Sequence, residues 1–320
     1  MRAIKHILVV FDPTSDIQHC VNKGAGLARA FGAVLELFVC DYQSGLLFNR
    51  LVPEDIVEDA LKGRRMQLIE QLEALAQPLR HTGLKVVTNC SFQDHLHAGV
   101  IAKVRTSGSD LVIKDTHFHG AIRRALFTIS DWHLVRECPV PLLLTKPAAW
   151  HANLRVAAAL DPGHADDKPA SLDRQLLEVT ESFAVAMGGE VLAVHAFDSL
   201  ALFSSMTAVA NGIGTLPSID IELVDSLRKF HDAEFKAVVA RHPAFEGRCA
   251  LIEGSPAAAL PAYAAEKEID VLVTGAVFRS ALHRLVVGST AERLLDRLPC
   301  DILVVKPEQN AVEPQPAVDL

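Results

Sequence analysis

The chain has 320 residues, of which 50% are hydrophobic and 22% are charged, and its formal net charge is −8 at pH 7. This length suits two domains of about 150 residues, each with enough apolar side chains for its own core. The acidic balance argues against general nucleic-acid binding, which needs a basic surface to displace counterions. Small molecules or proteins are therefore the expected partners.

The cysteine pattern and the lack of long apolar runs both bear on where in the cell the protein is expected. Six cysteines are scattered along the chain without a Cys-x-x-Cys motif. The first apolar run covers only residues 7–11, which is too short for a signal peptide, and no run approaches the roughly 18 apolar residues of a membrane span. We expect a cytoplasmic protein with reduced, mostly buried thiols and no membrane partner.

The chain contains one unit twice. Residues 4–13 match 154–162, residues 109–113 match 269–273, and residues 142–147 match 302–307, in the same order. The predicted domains are residues 1–148 and 153–307, joined by a short linker. A polar, proline-rich tail over residues 308–320 is predicted to be disordered.

Within each unit, short apolar runs alternate with helical patterns. Residues 34–39 and 191–195 predict buried strands, and residues 66–75 have the three- and four-residue apolar spacing of a helix. Ser255 followed by Pro256 predicts a helix start. This alternation predicts a parallel sheet covered by helices.

The second unit carries a candidate nucleotide motif. Gly275 follows the predicted strand 269–274, and Gly288-Ser289 comes further on at the predicted start of a helix. Glycine lets backbone N–H groups approach a phosphate, and a helix N-terminus attracts anions. Asp161 closes the unit's first strand, at the edge where open α/β sheets bind ligands. The competing interpretation is that Ser289 to Glu292 is an ordinary capping box.

These motifs, with the stretch from Asp131 to Pro139, resemble the tandem branch of the universal stress protein family, in particular the universal stress protein E group. The resemblance covers nearly all of residues 1–307. It implies an α/β fold of two tandem doubly wound five-stranded parallel-sheet domains, of the adenine-nucleotide α-hydrolase-like type. It also implies ATP, with or without Mg²⁺, as ligand. It assigns the adenine and ribose to Asp161, Thr274 and Gly275, and the phosphates to Gly288, Ser289 and Thr290.

Two departures from the family pattern qualify this expectation. Phe278 occupies a position where the family has glycine, so an alternative is a non-nucleotide interaction or small-ligand-binding module whose crevice the phenyl group closes. In the first unit, Lys114 to His117 stand where residues 275–278 stand in the second, and Phe127-Thr128 replaces Gly288-Ser289. We therefore expect a degenerate first unit.

The resemblance implies a role in stress survival, with DNA damage as one such stress. The chain lacks the Walker motif and the Gly-x-Ser-x-Gly nucleophile elbow, so we predict binding rather than enzymatic turnover. Slow ATP hydrolysis has no supporting motif. The resemblance also implies that residues 142–146 and 302–306 face each other within the chain, and leaves a homodimer of tandem chains open.

Histidines are concentrated in the first unit, at His95, His97, His117, His119 and His133. Imidazole groups that converged could bind zinc or nickel. Loop histidines are more often solvated or hydrogen-bonded, and no third ligand falls at an established metal spacing. The sequence therefore predicts no metal site, and a metal-dependent site remains the alternative if the cluster converges.

Overall fold

The computed structural model describes residues 3–41, 54–119, 124–126, 128–162, 171–199, 221–276 and 297–307. Strands and helices alternate in two successive units. The elements of the first unit are β1 His6–Val10, α1 His19–Phe31, β2 Val34–Asp41, α2 Glu54–His81, β3 Val86–Phe92, α3 Leu96–Ser107, β4 Leu111–Asp115, β5 His117–His119, β6 Arg124–Leu126, α4 Ile129–Glu137 and β7 Leu142–Thr145.

The second unit repeats this order in its described part. Its elements are β8 Arg155–Leu160, α5 Ser171–Met187, β9 Glu190–Phe197, α6 Ile221–Val239, a 3₁₀ turn Pro243–Phe245, β10 Cys249–Glu253, α7 Pro256–Glu266, β11 Val271–Gly275 and β12 Asp301–Val305. The predicted strands at 34–39 and 191–195 lie within β2 and β9, and the predicted helix at 66–75 lies within α2. The tail over residues 308–320 lies outside the described residues.

Ten strands form one sheet, in the order β10-β9-β8-β11-β12-β7-β4-β1-β2-β3, while β5 and β6 form a separate antiparallel pair. Each unit contributes five parallel strands, as the resemblance implies, and its first strand lies at the centre. Parallel neighbours require crossover connections, which the helices provide. The predicted doubly wound fold is confirmed.

The two units join edge to edge through their last strands. β12 pairs with β7 in antiparallel orientation, with Leu303 opposite Leu143. This is the one antiparallel pair in the described part of the ten-stranded sheet. The pairing covers an exposed strand edge on each unit, which would otherwise be available for association with other chains. The internal contact between last strands is therefore as expected.

The core consists of two apolar layers, one on each face of the sheet. Leu143 and Leu303 belong to one layer, whereas Leu144 and Val304 belong to the other. Successive residues of a strand point to opposite faces. β7 and β12, which form the seam between the two units, therefore each contribute to both layers. Both layers consequently run without interruption from one unit into the other.

Helix ends follow from local sequence. Gly32 and Gly108, at φ values of 64° and 66°, end α1 and α3 in the left-handed conformation that glycine adopts without strain. Thr128 and Asp131 form both hydrogen bonds of a capping box at the start of α4. α7 begins at Pro256 as predicted, although the Ser255 side chain makes no capping hydrogen bond.

A buried ion pair ties the two units together at the seam. Nζ of Lys23, on α1, lies 2.7 Å from Oδ2 of Asp301, and their side chains are 8% and 2% exposed. Asp301 also accepts hydrogen bonds from the backbone N–H of Lys146 and from Nε1 of Trp150, both at 2.8 Å. Burial raises the pKa of Asp301, and Lys23 opposes that increase.

The cysteines are free thiols, and all but Cys249 are buried. Burial raises the pKa of the Cys300 thiol to about 12, so this group stays protonated at neutral pH. The prediction of mostly buried, unpaired thiols is confirmed. Buried and protonated cysteines behave as small apolar side chains rather than as nucleophiles.

Replacing Lys23 by Met should lower the free energy of unfolding by about 3–5 kcal/mol, because it leaves the Asp301 carboxylate buried without a cation. The deficit should shrink in acid. Without Lys23 the folded-state pKa of Asp301 rises further above its unfolded value, so protonation stabilises the folded variant below that pKa and the benefit is lost as pH rises.

Urea denaturation at several pH values measures both effects. The matched control is Lys62→Met, which removes an exposed ion pair to Glu58 and should cost less than about 1 kcal/mol. A Lys23→Met protein as stable as this control would contradict a stabilising role for the buried pair.

Candidate functional site

The second-unit crevice lies where β8 and β11 end side by side. Ala159 pairs with Thr274, so Asp161 and Gly275, which follow, lie at the same carboxyl edge of the sheet. β8 has β9 on one side and β11 on the other, which makes this the point where strand order reverses. Open α/β sheets bind ligands at such points. Asp161, Thr274 and Gly275 are all half-buried.

The start of α5 gives one end of this crevice a negative character. Asp173, in the first turn of α5, is buried, and its carboxylate accepts the backbone N–H of Asp161 at 3.4 Å. A carboxylate is stabilised at a helix N-terminus by the helix dipole. With Asp161 beside it, this end of the crevice suits hydroxyl and amino donors better than phosphate.

Gly275 has a packing requirement of its own. A Cβ atom at this position would lie 2.8 Å from Cδ2 of Leu172, which precedes Asp173 on α5. Such a contact is too short for two carbon atoms, so the Leu172 side chain would have to rotate or α5 would have to shift. The glycine that the resemblance assigns to adenine and ribose thus also leaves room for Leu172 to pack against the end of β11.

A histidine pair supports the end of β8. Nδ1 of His195, on β9, lies 2.9 Å from the carbonyl oxygen of Leu160, and its Nε2 lies 2.8 Å from Nδ1 of His231 on α6. Since a carbonyl only accepts, Nδ1 of His195 carries the proton and Nε2 accepts from His231. Burial lowers the pKa of His195, which keeps it neutral. The histidine pair thus fixes the position of Leu160, the residue before Asp161. The sequence pattern predicted only a strand at His195 and gave no sign of this contact.

The strand register corrects the comparison of the two units by one residue. Val10 pairs with Lys114, whereas the equivalent Ala159 pairs with Thr274. Lys114 is therefore the counterpart of Thr274, and Asp115 is the counterpart of Gly275. The sequence comparison set Lys114 against Gly275, which is wrong: strand pairing gives the same register as the match of residues 109–113 with 269–273, and that match places Lys114 opposite Thr274.

The first-unit crevice is filled by its own side chains. Nζ of Lys114 lies 2.8 Å from Oδ1 of Asp131, and both side chains are almost fully buried. Oδ1 of Asp115 accepts the backbone N–H of Cys20, at the start of α1, and the hydroxyl of Thr145. The Asp115 carboxylate thus accepts a backbone N–H at the start of α1, which is a donor that an anionic ligand bound there would need. These contacts favour a structural role for this unit.

Part of the histidine cluster does converge. His97, His133 and Glu137 each offer a ligand atom, and these atoms all lie within 4.8 Å of one another. The ring of His95 stacks on that of His97 at 5.5 Å between centroids. The side chains of His117 and His119 lie outside the described residues. Glu137, at the end of α4, was missed by the sequence analysis because it is an unremarkable helical glutamate.

The structure brings together half of the residues predicted to bind nucleotide. Asp161, Thr274 and Gly275 lie at one edge of two adjacent strands, as the resemblance implies. Gly288, Ser289, Thr290 and Phe278 lie outside the described residues. Phosphate binding by the first three of these, and closure of the crevice by Phe278, therefore stay predictions.

The geometry defines a class of protein with two doubly wound α/β units in tandem that share one sheet. Each unit has a crevice at its switch point, which is the place where the strand order reverses. The sequence pattern of the universal stress protein family matches residues 3–146 and 164–306, which together include most of the chain. The chain belongs to the universal stress protein family.

Individual relatives match over nearly the whole chain. Universal stress protein E of Escherichia coli strain K12 is 26% identical over 311 residues, covering 97% of this chain and 96% of the relative. Its homolog from Haemophilus influenzae is 24% identical over 316 residues, covering 96% and 98%. Among solved structures, a putative universal stress protein from Pseudomonas aeruginosa UCBPP-PA14 is 26% identical with a TM-score of 0.71, covering 95% of this chain and 94% of that one.

A helix long and apolar enough to cross a membrane does not occur among the described residues.

Replacing Gly275 by Ala should destabilise the protein by about 1–3 kcal/mol, because the added methyl group overlaps Leu172. Combining it with Leu172→Ala should cost less than the sum of the two single changes, since the second substitution removes the overlap. Chemical denaturation of the three variants measures this coupling.

The matched control is Gly26→Ala in α1, where a Cβ would meet only Cε of Met187 at 4.0 Å. That change should be neutral or stabilise by up to about 1 kcal/mol, because alanine favours helix. Strict additivity at Gly275 and Leu172 would contradict the packing explanation.

Proposed function

We propose that this protein acts in the stress response by binding ATP in the crevice of its second unit, with nucleotide occupancy altering its contacts with partner proteins. The observation that carries the proposal is that Asp161 and Gly275 follow paired positions of β8 and β11 and so lie at the same edge, at the switch point of the second unit. Survival under stress is the expected outcome, with DNA damage as the first stress to test.

The contrast between the units supports a site in the second unit. At equivalent positions the first unit has a buried Lys114, paired with Asp131, and the second has a half-buried Thr274. A lysine directed into the crevice takes up space that a base or a sugar would need. The second unit presents a hydroxyl and a glycine at the same edge.

The charges of the crevice orient the proposed ligand. Asp161 and Asp173 lie at the β8 end, where carboxylates accept hydrogen bonds from ribose hydroxyls or an adenine amino group and repel phosphates. The nucleoside therefore faces Asp161, with Thr274 and Gly275 against base and sugar. The phosphates point away from these carboxylates, and the resemblance assigns them to Gly288, Ser289 and Thr290. ATP, if bound with Mg²⁺, brings a cation that offsets the phosphate charge.

The proposed activity is binding rather than turnover. The sequence carries no Walker lysine motif and no nucleophile elbow, so no residue is assigned to activating water or to stabilising a leaving phosphate. The free thiols fit a reducing compartment, and we place this function in the cytoplasm.

Replacing Asp161 by Asn should weaken ATP binding by about tenfold, because it removes a charge-assisted acceptor for the nucleoside. Asp12→Asn is the matched control, since Asp12 holds the same position in the first unit and should leave the affinity unchanged. Calorimetric titration of ATP, with and without Mg²⁺, into the full-length chain measures both.

Two results would overturn the proposal in different ways. Equal losses in the Asp161 and Asp12 variants would place the nucleotide elsewhere in the molecule. Absence of saturable binding to the unmutated protein at millimolar ATP, with binding gained on Phe278→Gly, would show a crevice closed by that phenyl group. The interaction or small-ligand module would then be the better account.

A further inference from the structure

A second candidate site lies in the first unit, where the start of α3 approaches α4. His97 is the second residue of α3, and His133 and Glu137 lie four residues apart on one face of α4. The two helices pack against the same face of the sheet through Val100 and Leu134. The apolar packing beneath them therefore fixes where the three polar side chains meet.

The rings of His97 and His133 lie face to face. They stack with 4.1 Å between centroids and 12° between planes. Two charged rings at that distance would repel each other strongly. Burial lowers the pKa of His97, and the neighbouring His133 lowers it further. Neutral imidazole is the form that binds metal ions.

Glu137 contacts the ring of His133. Its Oε1 lies 2.9 Å from Nδ1 of His133, which brings the carboxylate to the same ring that stacks on His97. The ligand atoms of all three residues lie within 4.8 Å of one another. Nitrogen and oxygen ligands around one zinc ion, each about 2.0–2.2 Å from it, lie roughly 3.5 Å apart. Because the in-plane lone pairs of two stacked rings are nearly parallel, the rings of His97 and His133 must also rotate out of the stack to complete the set.

We propose that His97, His133 and Glu137 form a zinc site, with the exposed His95 or a water molecule as fourth ligand. Two imidazoles and one carboxylate match the ligand preference of Zn²⁺, whereas Mg²⁺ and Ca²⁺ prefer oxygen ligands alone. The bound ion links the start of α3 to α4 and so stabilises the first unit. The site is independent of the proposed nucleotide crevice, which lies in the other unit.

Zinc competition against a chromogenic chelator tests the site in the full-length, metal-stripped chain. The unmutated protein should bind one Zn²⁺, and His97→Gln and Glu137→Gln should each weaken binding at least tenfold, in line with the loss of one of three protein ligands. The matched control is His81→Gln, an exposed histidine at the end of α2 that should leave the affinity unchanged.

Cobalt substitution and thermal unfolding provide two independent readouts. Co²⁺ bound at this site should show d–d absorption without thiolate charge transfer, and Zn²⁺ should raise the Tm of the unmutated protein but not that of folded His97→Gln. Circular dichroism establishes that each variant is folded, and Glu137 is exposed enough for Gln to be tolerated.

Equal zinc affinity in all four proteins, a thiolate charge-transfer band, or a preference for Mg²⁺ would each overturn the proposal. The first would mean that zinc binds elsewhere, and the second would assign it to cysteines, of which Cys249 is exposed. A Tm increase shared by the His97 variant would likewise remove the proposed link between α3 and α4.

Discussion

The Asp301 carboxylate is the interaction on which the joining of the two units depends. It stands at the first position of β12, the strand of the second unit that pairs with β7 of the first. Its donors come from the first unit and the linker: Lys23, Lys146 and Trp150. Breaking the β7–β12 pairing would leave a buried charge without its cation. The seam therefore opens at high cost, and the two crevices keep a fixed relation to each other.

A similar contact, in which one aspartate accepts hydrogen bonds from the backbone of a neighbouring segment, occurs inside each unit. Asp110, just before β4, accepts the backbone N–H groups of Lys5 and His6 at the start of β1. Asp270, just before β11, accepts those of His151 and Arg155 around the start of β8. In each case one carboxylate aligns the starts of two adjacent strands. Since strands of fixed register begin together, their carboxyl ends also fall at a common edge, which is where the candidate nucleotide site lies.

Most of the fold could be predicted from the sequence because its signals are local. The apolar runs, the helical spacing around residue 66, and Ser255-Pro256 each report on neighbours along the chain, and the repeat extends that information from one unit to the other. The aspartates before β4 and β11 were visible as parts of the repeat. Their partners were not, because more than a hundred residues separate Asp110 from Lys5 along the chain.

The sites were less predictable than the fold, because they depend on contacts between residues that are distant along the chain. The Asp161 and Gly275 pair could be predicted because both residues end strands, and parallel strands end at one edge. The meeting of His97 with Glu137 depends on how α3 and α4 pack, which no local pattern records. The error of one residue at Lys114 has a different cause, because the match of residues 109–113 with 269–273 already places Lys114 opposite Thr274, as strand pairing confirms.

Duplication explains how one unit can fill its crevice with its own side chains while the other keeps the candidate nucleotide residues. In a single unit, a lysine at the end of the fourth strand would cost the protein its ligand. In this chain, Lys114 instead forms a buried pair with Asp131, and Asp115 takes the donors of α1 and Thr145. The polar groups that a nucleotide would satisfy are thus satisfied internally. Because the seam fixes this unit to its partner, it can serve as a rigid support for the half-buried Thr274 and Gly275 of the second unit.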